Sequence, residues 1–163
     1  MAPTLSSLSI ATVPQTASWC FLLLEYLDEF AMLAWYLVAD GKLVEDTFAR
    51  TIAKLDRTTF EGSMPAMTYS QARSVLIAEA ITVVSNARKE GYEDRLCQLH
   101  STGSLPDLRR LAFILRLIIH SSETEVAKFL DVSPSEVNGL VLDEIDRLSS
   151  VSPLSVSPIS YEA

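Results

Sequence analysis

Side chains that can cap a helix and contact a nucleic acid are concentrated near the end of the chain, at residues 123–148. A tight turn is predicted at Asp131, between two amphipathic segments. Ser133 can accept hydrogen bonds from the free N–H groups of the second segment, Pro134 suits its first helical position, and Glu136 completes a capping box. This spacing is typical of a helix-turn-helix, whose second helix normally enters the major groove of DNA.

The second helix of this motif lacks the positive charge that DNA binding needs. Between Ser135 and Leu148 there are four acidic residues and one arginine, a formal charge of −3. Acidic groups repel phosphates, and each missing cation removes a favourable counterion-release contribution. Helical spacing predicts a core face and an exposed face. The predicted core face is Val137, Val141, Ile145 and Leu148, and the predicted exposed face includes Ser135, Asn138, Leu142, Asp143 and Asp146.

Composition excludes several classes of protein. The 163 residues carry a net charge of −8, which argues against nonspecific binding of nucleic acid or anionic membranes by the whole chain. Cys20 and Cys97 have no CxxC spacing and predict reduced thiols in a cytoplasmic protein. Together with two histidines they offer no zinc-site spacing, so we expect no metal and no other cofactor.

An enzyme is the least expected class. Glu45 and Asp46 are paired carboxylates, but adjacent residues on a helix do not converge on one site. The sequence shows no nucleophile–base pairing and no phosphate-binding glycine loop.

Apolar residues recur with the helical period, which predicts an all-α fold of six helices. The predicted helices span residues 18–39, 43–55, 68–89, 106–119, 123–130 and 133–148. Thr68 and Ser122 begin two further capping boxes. In the first helix, the predicted apolar face is Phe21, Leu24, Leu27, Ala31 and Ala34, opposite three acidic residues. Those acids favour a buried helix over a membrane span.

The six helices group into two small modules. Residues 17–89 form the first helical domain, residues 90–104 a polar linker, and residues 105–149 the helix-turn-helix domain. The flanking segments, 1–16 and 150–163, are rich in Ser and Pro, lack a periodic apolar face and are expected to be disordered.

Short segments within this plan resemble the extracytoplasmic-function class of bacterial RNA polymerase sigma factors. EVAKFLDVS and SEVNGLVLDEIDRL are similar in hydrophobic register to the family's region 4 helix-turn-helix, and VEDTFARTIAKLD to its region 2. The similarity runs from about Phe21 to Leu148. It implies a region 2-like domain before the linker and a region 4-like domain after it.

The resemblance also implies partners and functional residues. The implied partners are core RNA polymerase and promoter DNA, with an anti-sigma protein as a further candidate. The implied location is the cytoplasm, with no membrane contact. The polymerase-binding residues would be Glu45, Asp46, Arg50 and Lys54. The DNA-binding residues would be Ser133, Ser135, Asn138 and Arg147.

The differences between this sequence and the family's pattern leave two other hypotheses open. Positions that are basic in the family's second region 4 helix hold Leu140, Asp143, Ile145 and Asp146 here. One alternative is therefore a sigma-like adaptor or inhibitor that has lost DNA binding and docks a protein on this acidic helix. The other is a helical bundle whose helix-turn-helix spacing is coincidental.

Overall fold

The computed structural model describes residues 18–60, 68–91 and 105–150, and every regular element in these ranges is helical. The predicted all-α class is confirmed for this part of the chain. Its helices, moreover, lie close to the predicted ranges, although several of their faces and one boundary differ.

Several predictions concern residues outside the described ranges. These residues are the N-terminal segment 1–16, most of the linker 90–104 and nearly all of the tail 150–163. Within the ranges that are described, no helix combines the length and apolar character needed to span a bilayer.

The predicted first helix is divided into α1 (Ser18–Glu25) and α2 (Leu27–Val38) by one turn residue, Tyr26. The Tyr26 ring packs edge-on against Tyr69, with 5.0 Å between ring centroids. Backbone hydrogen bonding continues through the break, because the Phe30 N–H donates to the Tyr26 carbonyl at 3.0 Å. The two helices therefore remain nearly one element.

The predicted apolar face of this element is wrong. Phe21, Leu24 and Leu27 are exposed, and Ala31 is half-buried. Ala34 alone among the five predicted residues is buried. The residues that enter the core are Trp19, Leu23, Phe30, Leu33, Ala34, Leu37 and Val38. Because this segment is apolar on several sides, helical spacing did not identify the side that is buried.

Helix α3 (Gly41–Phe60) extends past its predicted end, and α4 (Tyr69–Lys89) has the predicted bounds. Asp40 begins α3 by accepting the Leu43 N–H at 3.0 Å. Thr68 and Gln71 form the predicted capping box of α4. Helices α2, α3 and α4 pack on one another and form most of the core of the first half.

The predicted fourth helix is α-helical only as α5 (Leu108–Phe113), which continues into a π-helical segment, Ile114–Ile118. In that segment the Ile119 N–H donates to the Ile114 carbonyl, five residues earlier, at 2.9 Å. Leu115 is fully buried, as expected, but Leu117 is exposed. The sequence predicted that this helix would be buried on almost every side. This prediction is wrong for the side that carries Leu117.

The chain then forms α6 (Glu123–Leu130) and α7 (Pro134–Ser150), and α7 packs against both α5 and α6. The buried apolar residues of the first and second halves belong to one contiguous core. Two arginines of α4 also reach across: Arg73 donates to the Ile119 carbonyl at 2.7 Å and Arg88 to the Pro106 carbonyl. The proposed division into residues 17–89 and 105–149 stays a prediction.

Candidate interaction surfaces

The segment that joins α6 to α7 has the local geometry expected from its residues. Asp131 ends α6 in the left-handed conformation, with φ of 54°, and its N–H donates to the Ala127 carbonyl. The Glu136 N–H donates to the Ser133 hydroxyl at 3.3 Å, and the Glu136 carboxylate accepts the Ser133 N–H at 2.8 Å. Hydrogen bonds from the Ser133 side chain and backbone lower the pKa of Glu136. Whether this segment forms a helix-turn-helix that binds DNA stays a prediction.

The four predicted DNA-binding residues do not form one group. The hydroxyls of Ser133 and Ser135 lie 3.0 Å apart at the start of α7, where Ser133 is occupied as the cap. Asn138 is exposed one turn later. Arg147 lies nine residues beyond Asn138, which places it about 13 Å further along the helix and about 180° around it. Arg147 and Asn138 therefore point to opposite sides of α7.

The predicted register of α7 is also wrong in its second half. Val137 and Val141 are buried as expected, but Ile145 and Leu148 are exposed. Their place in the core is taken by Glu144, which is 1 % exposed. Leu142 is exposed, as predicted. The core face thus continues through positions 137, 141 and 144, with spacings of four and three residues.

Glu144 is buried because Arg147 neutralises it. Arg147 Nε donates to one carboxylate oxygen at 2.7 Å, and Nη2 donates to the other at 2.6 Å. These hydrogen bonds outweigh the effect of burial and lower the pKa of Glu144. Such two-point contacts fix the planar groups relative to each other. The only arginine predicted to contact DNA is therefore held by a carboxylate of its own helix.

The predicted polymerase-binding residues are all exposed on α3. Asp46, Arg50 and Lys54 follow one another at four-residue spacing and share one face, while Glu45 lies about 100° away. Lys54 Nζ forms an ion pair with Glu79 Oε1 of α4 at 2.9 Å. The structure thus brings three of the four residues together.

Two features that involve the second half were not anticipated from the sequence. One is the buried Glu144, for which the available signal was an arginine three residues later. The other is an apolar groove of about 470 Å³, lined by side chains of α2, α5, the π-helical segment and α7. No group of three or more His, Cys, Asp or Glu side chains in the described ranges is placed to hold a metal ion.

A comparison of the sequence with models of known families and with curated proteins finds no match.

Proposed function

We propose that the chain is a divergent sigma-factor-like protein that acts in transcription initiation by binding core RNA polymerase, and that it contacts promoter DNA only weakly. The observation that best supports this proposal is the segment from α6 to α7. Its left-handed Asp131 and its Ser133–Glu136 capping box occur where the resemblance to region 4 requires a turn and a helix start.

Contact with polymerase is assigned to the exposed face of α3. Asp46, Arg50 and Lys54 form a stripe of mixed charge, with Glu45 beside it. A mixed stripe can recognise a partner through the arrangement of its charges, which contributes more to specificity and association rate than to affinity. Because the ion pair of Lys54 with Glu79 already satisfies one cation, Asp46 and Arg50 are the better residues to test.

Contact with DNA is assigned to the first half of α7, where Ser135 and Asn138 are exposed. Asp143 and Asp146 are exposed on the same helix and oppose phosphate binding. Without polymerase, we expect the dissociation constant for duplex DNA to be no better than the nonspecific range of roughly 10⁻⁴ to 10⁻⁶ M.

A second candidate function, an adaptor or inhibitor without DNA binding, is favoured by the ion pair of Arg147. An arginine whose charge is paired at two points with Glu144 attracts a phosphate less than an unpaired arginine does. Leu142, which is 61 % exposed, adds an apolar contact to an otherwise acidic helix face. In this case the acidic face of α7 would dock on a basic protein surface.

Binding of the full chain to purified core RNA polymerase tests both candidates. We expect association, and we expect the exchange Asp46→Arg with Arg50→Asp to weaken it about tenfold or more without changing net charge. The matched control is the exchange Glu123→Lys with Lys128→Glu on α6, which should leave the affinity unchanged. Failure of the natural protein to bind polymerase would remove the first candidate.

A charge change on α7 separates the two candidates. Asp143→Arg with Asp146→Lys moves the formal charge between Ser135 and Leu148 from −3 to +1. If α7 faces DNA, affinity should rise, and the slope of log affinity against log salt should steepen by about 0.9 per new phosphate contact. If α7 docks a protein, the variant should lose that partner instead. Tight, sequence-specific DNA binding by the natural protein, abolished in the variant, would contradict both.

A further inference from the structure

The apolar groove between the two halves of the molecule has the size of a ligand or peptide site. Its volume is about 470 Å³, within the range of roughly 300 to 1,000 Å³ that is common for such sites. Its lining includes Trp35 and Tyr36 of α2, in the first half of the chain, and Ile118 and Leu148 in the second half. The groove therefore exists only where residues of both halves meet.

The large apolar side chains that line this groove are unusually exposed to solvent. Trp35 is 54 % exposed, and Tyr36, Ile118 and Leu148 are all more than two-fifths exposed. Scattered exposed apolar residues are ordinary, but a contiguous group around a concavity is typical of a surface that binds another protein. Tryptophan and tyrosine are, in addition, the residues that most often dominate such interfaces.

The groove also contains an arginine, Arg110, for which the described residues provide no acceptor. Arg109 is bound to Asp107 at 2.9 Å, Arg116 donates to the Ser121 carbonyl at 3.2 Å, and Arg147 is bound to Glu144. The Arg110 side chain is half-buried in the groove and, within the described part of the chain, makes no hydrogen bond or ion pair.

The local charge of the groove is opposite to that of the protein. Its charged lining consists of Arg110 and the neutralised Glu144–Arg147 pair, which leaves one positive charge. The chain as a whole carries −8. A carboxylate is therefore attracted to Arg110 specifically, because the rest of the acidic surface repels it.

We propose that this groove docks a segment of a partner protein in which a bulky apolar side chain lies close to an aspartate or glutamate. The apolar side chain fills the space between Trp35 and Leu148, and the carboxylate accepts hydrogen bonds from the planar guanidinium of Arg110. This surface involves neither the α3 stripe nor the first half of α7, so it goes beyond the polymerase and DNA contacts proposed above. It shares only the Glu144–Arg147 pair with the second candidate function.

A displayed library of random twelve-residue peptides, selected on the full-length protein, tests the proposal directly. We expect the enriched peptides to carry Trp, Phe or Leu within four residues of Asp or Glu. Their affinities are then measured by fluorescence anisotropy on the natural protein and two variants. Arg110→Gln should weaken binding about tenfold or more, since it removes a charge-assisted hydrogen bond. Arg109→Gln, with the same change of net charge on the neighbouring residue, should change affinity less than about twofold.

Replacing the acidic residue of a selected peptide by its amide sharpens the test. The amide peptide should bind the natural protein and the Arg110→Gln variant equally, because the interaction that distinguishes them is gone. Absence of enriched peptides, enriched peptides without acidic residues, or equal losses in the two arginine variants would overturn the proposal.

Two other occupants would also overturn it. A dimer in sedimentation that Arg110→Gln dissociates would assign the groove to a second copy of the chain. A rise in peptide affinity of about tenfold or more on removal of residues 151–163 would assign it to the chain's own C-terminal segment.

Discussion

Each end of α7 contains a glutamate that is hydrogen-bonded to a residue three positions away. The two glutamates differ in which parts of the molecule their hydrogen bonds depend on. At the first end, Glu136 bonds to Ser133 and both residues are exposed. At the second end, Glu144 bonds to Arg147 and is buried. Both carboxyls have lowered pKa values. The first arrangement needs only its own four residues, whereas the second depends on the packing of the rest of the molecule around it.

This difference explains why one end of the helix was predicted and the other was not. A capping box satisfies backbone N–H groups that every helix start leaves free, so its residues alone specify it. A buried carboxylate is stable only when a partner compensates its loss of water. Arg147 of the same helix is that partner, but whether position 144 is buried depends on the neighbouring helices. Four substitutions test whether packing effects exceed local ones.

The largest loss is expected where packing acts alone, at Leu115, which is 0 % exposed. Leu115→Ala should lower the free energy of unfolding by about 2–5 kcal/mol, because it removes buried apolar contacts and leaves a cavity. Urea denaturation followed by circular dichroism measures this value. Leu142→Ala is the control on an exposed leucine and should cost less than about 0.5 kcal/mol. Similar losses at both positions would show that α7 has a different register.

A smaller loss of stability, which depends on pH, is expected when Glu144 is replaced. Glu144→Gln keeps the shape of the side chain but loses the charge-assisted bonds to Arg147, at a cost of about 1–2 kcal/mol at pH 7. The lowered pKa of Glu144 makes its charge a source of stability that is present above pH 4.5 and is lost as pH falls through its folded-state value. The difference in unfolding free energy between the natural protein and the variant should therefore shrink as the pH falls below 4.5. A difference that stays constant would mean that charge plays no part.

The local end of α7 is tested by Ser133→Ala. Loss of the cap should cost about 1 kcal/mol, since it removes the hydroxyl that accepts the Glu136 N–H and donates to the Glu136 carboxylate. Ser135→Ala removes a neighbouring hydroxyl that does not cap the helix, and it should have little effect. Unfolding free energies of the two variants, measured side by side, provide the comparison. Equal effects would show that the capping box contributes no stability.

The smallest effect, and the only gain in stability, is expected at Gly139, which lies between the two ends of α7. A Cβ added at Gly139 would meet nothing within 4 Å. Gly139→Ala should therefore raise the unfolding free energy by roughly 0.5–1 kcal/mol, because alanine loses less conformational freedom in a helix. Thermal unfolding would detect the gain as a higher Tm. A lower Tm would indicate that this position of α7 needs glycine for a reason other than helix stability.

Sequence reasoning succeeded where short-range rules suffice. The all-α class, the helix starts at Thr68, Ser122 and Ser133 and the burial of Leu115 were all predicted. Faces were not predictable where a helix is apolar on several sides, as in α1 and α2. Nor could the sequence indicate that Arg110 would line a groove, because its walls come from residues far apart in the chain.

The π-helical segment Ile114–Ile118 also affects how the sequence should be aligned with others. A π turn contains one residue more than an α turn, so the last residues of this segment lie about 100° around the axis from where an α-helix would place them. An ungapped alignment to a regular α-helix would therefore assign the wrong face to the residues at the end of this helix, just before the loop that leads to Glu123. A one-residue gap placed within the segment would again pair inward-facing residues with inward-facing ones.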